Sequence, residues 1–213
     1  KPVYNKVEIP RGGEYALVLS DGTKVHLNSM SSLRFPVAFT TGKREVELQG
    51  EAYFEVSKTG QPFIVNANGM QVEVLGTTFN ISAYPDEEYQ TTLVNGSVKV
   101  SAEKGESLIL KPSQQATIAL GSNSIQVRTV DTSFYTSWVK GKINFKDQRL
   151  EDIMKTLSRW YDMNVVYENE KLKNIRFGCN LNRYEEITPF VKLLEKTEEV
   201  HVKIEGNTIT FHN

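Results

Sequence analysis

The amino-acid sequence predicts two structural domains, an all-β antiparallel sandwich or roll followed by an α+β domain of the split βαβ type. The spacing of apolar residues changes along the chain from two, typical of half-buried strands, to the 3.6 of amphipathic helices. A polar segment rich in Thr and Ser, residues 128–137, lies at this change. We therefore predict an all-β domain over residues 1–133 and a split βαβ domain over residues 138–213.

The first domain contains one long alternating run, residues 45–56. Apolar side chains occupy one face and glutamates dominate the other, which predicts a strand with one buried and one wetted face. Gly50, in the middle of the run, predicts a bulge or a bend. Further strands are predicted at residues 15–19, 24–28, 62–66, 70–75, 79–84, 89–94, 97–101, 107–110, 115–119 and 124–130.

Turn residues separate these strands. Asn95-Gly96 stands between two apolar runs and predicts a hairpin with a type I′ turn, because that turn needs positive φ at both central residues. No amphipathic helix is predicted before residue 145.

The second domain is predicted to contain two helices. The first has an apolar stripe, begins after a predicted N-cap at Asp147 and ends at Asp162-Met163-Asn164. The second begins near Glu186, because Pro189 fits only in a first turn. Strands at residues 141–146, 164–168, 174–181, 200–204 and 207–212 complete a β-α-β-β-α-β order with an extra terminal strand. The stripe of the first helix consists of Leu150, Ile153, Met154, Leu157, Trp160 and Tyr161.

The composition is that of a globular protein. The 213 residues are 39% hydrophobic and 24% charged, which supplies a core and too little charge for a disordered chain. The net charge is −1, so a nucleic-acid partner is not expected. No apolar run approaches the roughly 18 residues that a membrane span needs.

Candidate catalytic groups are sparse, and neither an enzyme nor a cofactor is predicted. His26, His201 and His212 lie on separate predicted strands without metal-ligand spacing. Cys179 alternates with other apolar residues and is predicted to be buried and inert. Glu51 and Glu55 share a strand face about 13 Å apart, too far for a glycosidase pair, and are interpreted as a solvated face.

The aromatic residues of the second domain have two interpretations. Trp138, Trp160 and Tyr161 are types favoured in binding hot spots, but also in small cores. Packing in a core or between domains is preferred, and contact with a partner remains the alternative.

Six blocks of the first domain, in order, resemble the FecR family. After them, Trp138, Gly141, Ile143 and Phe145, followed by Leu150 and Arg159–Tyr161, resemble the C-terminal module often fused to it in Bacteroidetes-type proteins. Ser113 stands where the last block of the family usually has glycine. The blocks are Leu19–Asn28, Gly50–Val56, Pro62–Val65, Val74–Ile81 with Ala83-Tyr84, Thr92–Val98 and Leu110–Ala116.

The resemblance implies the periplasmic region of an inner-membrane-anchored anti-sigma factor. In that family plan, the membrane helix and the sigma-binding segment lie outside a chain like this one. The implied partners are the periplasmic signalling domain of a TonB-dependent transducer and, through the missing segment, a sigma factor. The C-terminal module is similar to the short N-terminal domain of secretins and TonB-dependent receptors.

Partner binding is predicted at the second domain and the groove beside the linker, mainly by backbone pairing at an exposed strand edge. One candidate edge is Asn164–Glu168, with Val165, Val166 and Tyr167. The other is Thr208–Phe211, with Ile209 and Phe211. The alternative function is a carbohydrate-binding β-domain, in which Tyr53, Tyr84 and Tyr89 stack on sugars from one outward surface.

Overall fold

The structure is a computed structural model that describes residues 3–40 and 42–213. The chain forms two compact units that divide between Thr136 and Ser137. The strands of the first unit are β1 (Tyr4–Glu8), β2 (Tyr15–Val18), β3 (Lys24–Leu27), β4 (Ser32–Pro36), β5 (Arg44–Glu55), β6 (Phe63–Ala67), β7 (Met70–Val74), β8 (Thr78–Ala83), β9 (Tyr89–Asn95), β10 (Val98–Ala102), β11 (Ser107–Leu110), β12 (Gln114–Ile118) and β13 (Gln126–Thr129).

These strands form one large, mostly antiparallel sheet that curves into a half-barrel, so the predicted all-β antiparallel class is confirmed. The long strand β5 belongs to both halves of the sheet. Its beginning pairs with β4 and, in parallel, with β6, while its end pairs with β3 and β8. The predicted alternation on β5 is confirmed, because Val46, Leu48, Ala52 and Phe54 are all buried.

Gly50 lies where β5 changes neighbours. Its φ is +88°, and a Cβ built there would lie 2.5 Å from the Ser31 Oγ. Only glycine tolerates both the positive φ and this close approach. The strand therefore departs from extended geometry at Gly50, where it passes from one half of the sheet to the other, but the pairing register shows no bulge there.

The hairpin predicted at Asn95-Gly96 is wrong. Strand β9 pairs with β8 and β12, whereas β10 pairs with β7 and β11, so the connection crosses between the two halves of the sheet. Gly96 has φ +98° and a Cβ there would lie 2.9 Å from the Thr77 Oγ1, which explains the glycine. Both residues of Asn68-Gly69 do have positive φ, 45° and 83°, and this pair joins β6 to β7.

Three elements of the first unit were not predicted. Strands β1 and β4 pair with each other at one side of the sheet. Strand β1 is almost wholly exposed, so it lacks the buried alternation that reveals a strand in a sequence. The one-turn helix α1 (Ser133–Thr136) precedes residue 145. It has no buried residue, so it lacks the amphipathic pattern from which a helix is predicted.

The second unit has the predicted β-α-β-β-α-β order with an extra terminal strand. The strands form two sheets: β14 pairs with β16, and β15 and β17 flank β18. The elements are β14 (Lys142–Arg149), α2 (Leu150–Trp160), β15 (Asn164–Tyr167), β16 (Arg176–Asn182), α3 (Thr188–Glu195), β17 (His201–Glu205) and β18 (Thr208–His212).

Helix α2 buries the predicted stripe, with Leu150, Ile153, Met154, Leu157 and Trp160 at most 4% exposed. The sixth member, Tyr161, follows the helix and is half-buried, and its hydroxyl donates to the Asn182 carbonyl at 3.2 Å. Trp138 is also buried. The burial of the two tryptophans that the preferred interpretation requires is therefore confirmed.

The predicted ends of the helices need two corrections. Asp147 is not the N-cap of α2, because β14 continues to Arg149, which precedes the helix without a side-chain cap. The Asp147 carboxylate accepts instead from the Arg176 Nε at 3.1 Å. Helix α3 begins at Thr188 rather than near Glu186, and Pro189 lies in its first turn as predicted.

Candidate functional site: an open strand edge

The three-stranded sheet of the second unit places β18 in the centre, between β15 on one side and β17 on the other. The prediction that Thr208–Phe211 is an exposed edge is therefore wrong. Both of its sides are paired, because the terminal hairpin supplies β17 and the parallel strand β15 takes the other side. Ile209 and Phe211 are fully buried and offer no edge to a partner.

Val165, Val166 and Tyr167 lie on β15, which is an edge strand as predicted. Strand β15 begins directly after the end of α2. Asp162 adopts φ 50°, and the Met163 N–H donates to the Ser158 carbonyl at 3.0 Å, the bond that closes a helix with a left-handed residue. The predicted helix end at Asp162-Met163-Asn164 is confirmed.

The backbone of β15 leaves hydrogen-bonding groups unpaired. The Asn164 N–H donates to the carbonyl of Asn207, just before β18, at 2.7 Å, and the Glu168 N–H donates to the Phe211 carbonyl at 3.0 Å. Because alternate residues of a parallel strand face the same neighbour, the N–H and C=O groups of Val165 and Tyr167 point away from β18. Among residues 3–40 and 42–213, neither amide donates to another element.

The side chains of β15 alternate between the two faces of its sheet. Val165 and Tyr167 are half-buried, whereas Asn164 and Val166 are exposed, Val166 by 44%. The Tyr167 ring stacks on the Phe211 ring with centroids 5.2 Å apart. Burial, with the carboxylates of Glu151 and Asp152, raises the pKa of the Tyr167 hydroxyl far above its usual value. Tyr167 is therefore a neutral group that holds β15 on the sheet.

The opposite edge of the sheet is β17, which carries charged side chains and was not predicted to be an edge. His201, Lys203 and Glu205 are exposed along it, and the Lys203 Nζ lies 2.9 Å from the Glu205 Oε1. Charged side chains along an edge discourage the addition of another strand. Because β15 has no charged residue, it is the edge less protected against the addition of another strand. The alternating charged residues of β17 are the sequence feature that could have distinguished the two edges.

The histidines do not form a metal site. His201 and His212 face each other across the terminal hairpin, with ring centroids 5.6 Å apart. The described part of the chain holds no group of three or more side chains with metal-binding geometry.

The Glu51 carboxylate is not part of a solvated face, which corrects the prediction. It is half-buried and accepts from the Asn28 Nδ2 at 2.8 Å and the Asn80 Nδ2 at 2.9 Å. Glu55, in contrast, is exposed as predicted and lies 3.8 Å from the Lys24 Nζ. Asn28, Glu51 and Asn80 come from three separate sequence blocks, so their contact joins three parts of the half-barrel.

The predictions for Cys179 and for the tyrosine surface also need correction. Cys179 is half-buried rather than buried, and burial raises the pKa of its thiol to about 11. Tyr84 is only 3% exposed and its hydroxyl donates to the Ser29 carbonyl at 2.8 Å, while Tyr89 packs against the core. The predicted outward surface of Tyr53, Tyr84 and Tyr89 is therefore wrong.

The described helices are all short, and none could cross a membrane. The protein combines a β-rich half-barrel with a following α+β unit that has an open strand edge. Residues 5–99 match the family model described as FecR protein, and residues 142–211 match the model described as FecR, C-terminal. The chain belongs to the FecR family.

Solved structures agree with the family models. Two crystal structures of a "putative anti-sigma factor" from Parabacteroides distasonis ATCC 8503 match with TM-scores of 0.90. The first is 26% identical, and the match covers 98% of this chain and 99% of that one. The second is 25% identical, with 99% of both chains covered. A comparison with curated proteins found no match.

These comparisons determine the kind of function. The chain is a region of a FecR-family anti-sigma factor, and this family is non-enzymatic. The family implies sigma-factor and signalling partners.

Proposed function

We propose that this chain is the periplasmic signal-relay region of an anti-sigma factor anchored in the inner membrane. Its second unit receives the signal by binding the periplasmic signalling domain of a TonB-dependent outer-membrane transducer. The contact with an extracytoplasmic-function sigma factor, and the membrane helix, belong to a segment outside these 213 residues.

The observation that carries the proposal is the open edge of β15. A strand with unpaired N–H and C=O groups accepts an extended segment of another protein, and the main-chain bonds supply affinity. The opposite edge carries His201, Lys203 and Glu205, whereas β15 reads Asn-Val-Val-Tyr without a charge. We therefore place the transducer strand beside Val165 and Tyr167, with Val166 exposed next to it.

A pair of proline variants tests this placement. Val165→Pro removes an N–H that faces the open side of β15 and takes no part in pairing with β18. Ile204→Pro is the matched control on β17. Glu205 and Thr208 flank the two-residue turn of the terminal hairpin and form a hydrogen-bonded pair. Because hydrogen-bonded and non-bonded pairs alternate along an antiparallel ladder, the Ile204 N–H, one residue away, also faces outward. Proline is tolerated where an edge N–H faces solvent.

We expect Val165→Pro to weaken binding of the purified signalling domain at least about tenfold, equivalent to about 1.4 kcal/mol. Ile204→Pro should change it by less than about twofold on the same scale. Amide exchange should show new protection at Val165 and Tyr167 when the signalling domain is added. Protection confined to the first unit, or equal effects of the two prolines, would assign the interface to a different place.

A further inference from the structure

The outward face of the half-barrel carries a continuous row of polar side chains. The pairing registers align Lys6 with Arg34, Arg34 with Glu47, Glu47 with Asn66, Asn66 with Gln71 and Gln71 with Ser101. Residues paired in register share a face of the sheet. Six neighbouring strands therefore contribute one residue each, and at about 4.8 Å per strand the row spans about 24 Å.

This row lies in a groove of about 730 Å³, within the range of small-ligand sites. The groove, here called the polar groove, is lined by the six residues of the row and by others that include Gln49, Asn68 and Glu103. All of these residues lie in the first unit, so the groove is independent of the edge of β15.

The amides of the polar groove are held in place by hydrogen bonds. The Asn66 Nδ2 donates to the Glu45 Oε1 at 2.6 Å, and the Gln71 Nε2 donates to the Asn66 Oδ1 at 3.0 Å. Each amide keeps a second N–H, and Gln71 keeps its carbonyl oxygen. The groove therefore presents hydrogen-bond donors and acceptors side by side. This arrangement suits the hydroxyl groups of a ligand, because each hydroxyl both donates and accepts a hydrogen bond.

The residues that line the polar groove carry no excess of positive charge. Lys6 and Arg34 are its cations, and Glu47 and Glu103 are its anions. The Arg34 Nη1 lies 2.6 Å from the Glu47 Oε1, and Lys6 is paired with Glu8. Because Glu8 and Glu45 also lie beside these residues, an anionic ligand would find no excess of positive charge here, whereas a neutral, hydroxyl-rich ligand would meet the amides of Asn66 and Gln71 and the hydroxyl of Ser101.

We propose that the polar groove binds a neutral oligosaccharide, with Asn66 and Gln71 as its main hydrogen-bonding residues. The extended shape of the row suits a linear chain of sugar rings, and the amide end of the row, from Asn66 to Ser101, is its uncharged part. This site differs from the tyrosine surface that the sequence predicted, because it uses amides of the opposite half of the sheet.

Isothermal titration calorimetry of the full chain with cellotriose, maltotriose and triacetylchitotriose tests the proposal. The double variant Asn66→Ala/Gln71→Ala removes both amides. The matched control is Asn123→Ala/Gln126→Ala, which removes an exposed Asn and an exposed Gln that do not line the polar groove. Melting curves of both variants ensure that the first unit remains folded.

We expect saturable binding of at least one neutral trisaccharide, weakened at least tenfold by Asn66→Ala/Gln71→Ala and unchanged in the control. Absence of binding of all three sugars by the unaltered chain would overturn the proposal. Equal affinities of the two double variants would place any sugar elsewhere. Tighter binding of trigalacturonate, an anionic trisaccharide, would overturn the assignment to a neutral ligand.

Discussion

The Arg44 guanidinium donates to the Asp21 carboxylate across 2.6 Å, with the two side chains only 1% and 7% exposed. The same guanidinium donates to the carbonyls of Ser57 at 2.9 Å and Gln61 at 2.6 Å. One buried side chain therefore joins the turn between β2 and β3, the start of β5 and the segment before β6. Three parts of the half-barrel that are distant in sequence depend on it.

The buried ion pair predicts a large effect of Arg44→Met. The substitution leaves the Asp21 carboxylate buried without its partner, so we expect the free energy of unfolding to fall by about 3–5 kcal/mol. Arg34→Met is the control, because Arg34 and Glu47 pair at the same 2.6 Å but are 41% and 57% exposed, where a pair contributes less than about 1 kcal/mol. Urea unfolding measures both, and similar losses would contradict the prediction.

Ser113 predicts a stabilising substitution. Its φ is 67°, a left-handed conformation that costs a non-glycine residue about 1–2 kcal/mol. Glycine loses about 0.5–1 kcal/mol more entropy on folding, so Ser113→Gly should gain about 0.5–1 kcal/mol in net stability. Thermal unfolding should show a raised midpoint. Ser107→Gly, in the extended strand β11, should lower it, and a loss in both variants would refute the strain argument.

Cys179 should react slowly in the folded protein. The usual thiol pKa of 9.0 is raised to about 11 by burial, and because the thiolate is the reactive form, alkylation at neutral pH should be about 100-fold slower than in the unfolded chain. Iodoacetamide labelling in buffer and in urea compares the two rates, and equal rates would contradict the prediction. The thiol ionises more readily when unfolded, so its contribution to stability is complete below pH 9 and declines as the pH rises towards 11.

Trp160→Ala should destabilise the second unit by about 3 kcal/mol, the order expected for a large core aromatic. The indole is 4% exposed, and the Arg183 guanidinium lies 4.9 Å from the ring centroid, so the substitution removes both burial and a cation–π contact. Tyr184→Ala, at a residue 70% exposed, should cost less than about 1 kcal/mol. A Trp160→Ala melting curve that matches the parent would contradict the prediction.

Features that lie within one segment were predicted from the sequence, whereas features that depend on pairing between segments were not. The stripe of α2 and the alternation of β5 were predicted, because both patterns lie within one segment. The N-cap at Asp147 was misplaced, since β14 pairs with β16 beyond that residue and this pairing overrides local capping preference. Cys179 was assigned to the interior from its alternation with Phe177, which is buried, but the thiol itself is only half-buried in the structure.

The candidate site shows the same division. The sequence predicted a short strand rich in β-branched residues at 164–168 and a terminal hairpin at residues 200–212. No local pattern predicts that β15 lies beside β18. This pairing makes β15 an open edge and buries Ile209 and Phe211 in the central strand. The same holds for Asn95-Gly96, whose neighbours pair with other strands. The physical reason is that strand pairing joins backbone groups common to every residue, so the choice of neighbour depends on how the whole core packs.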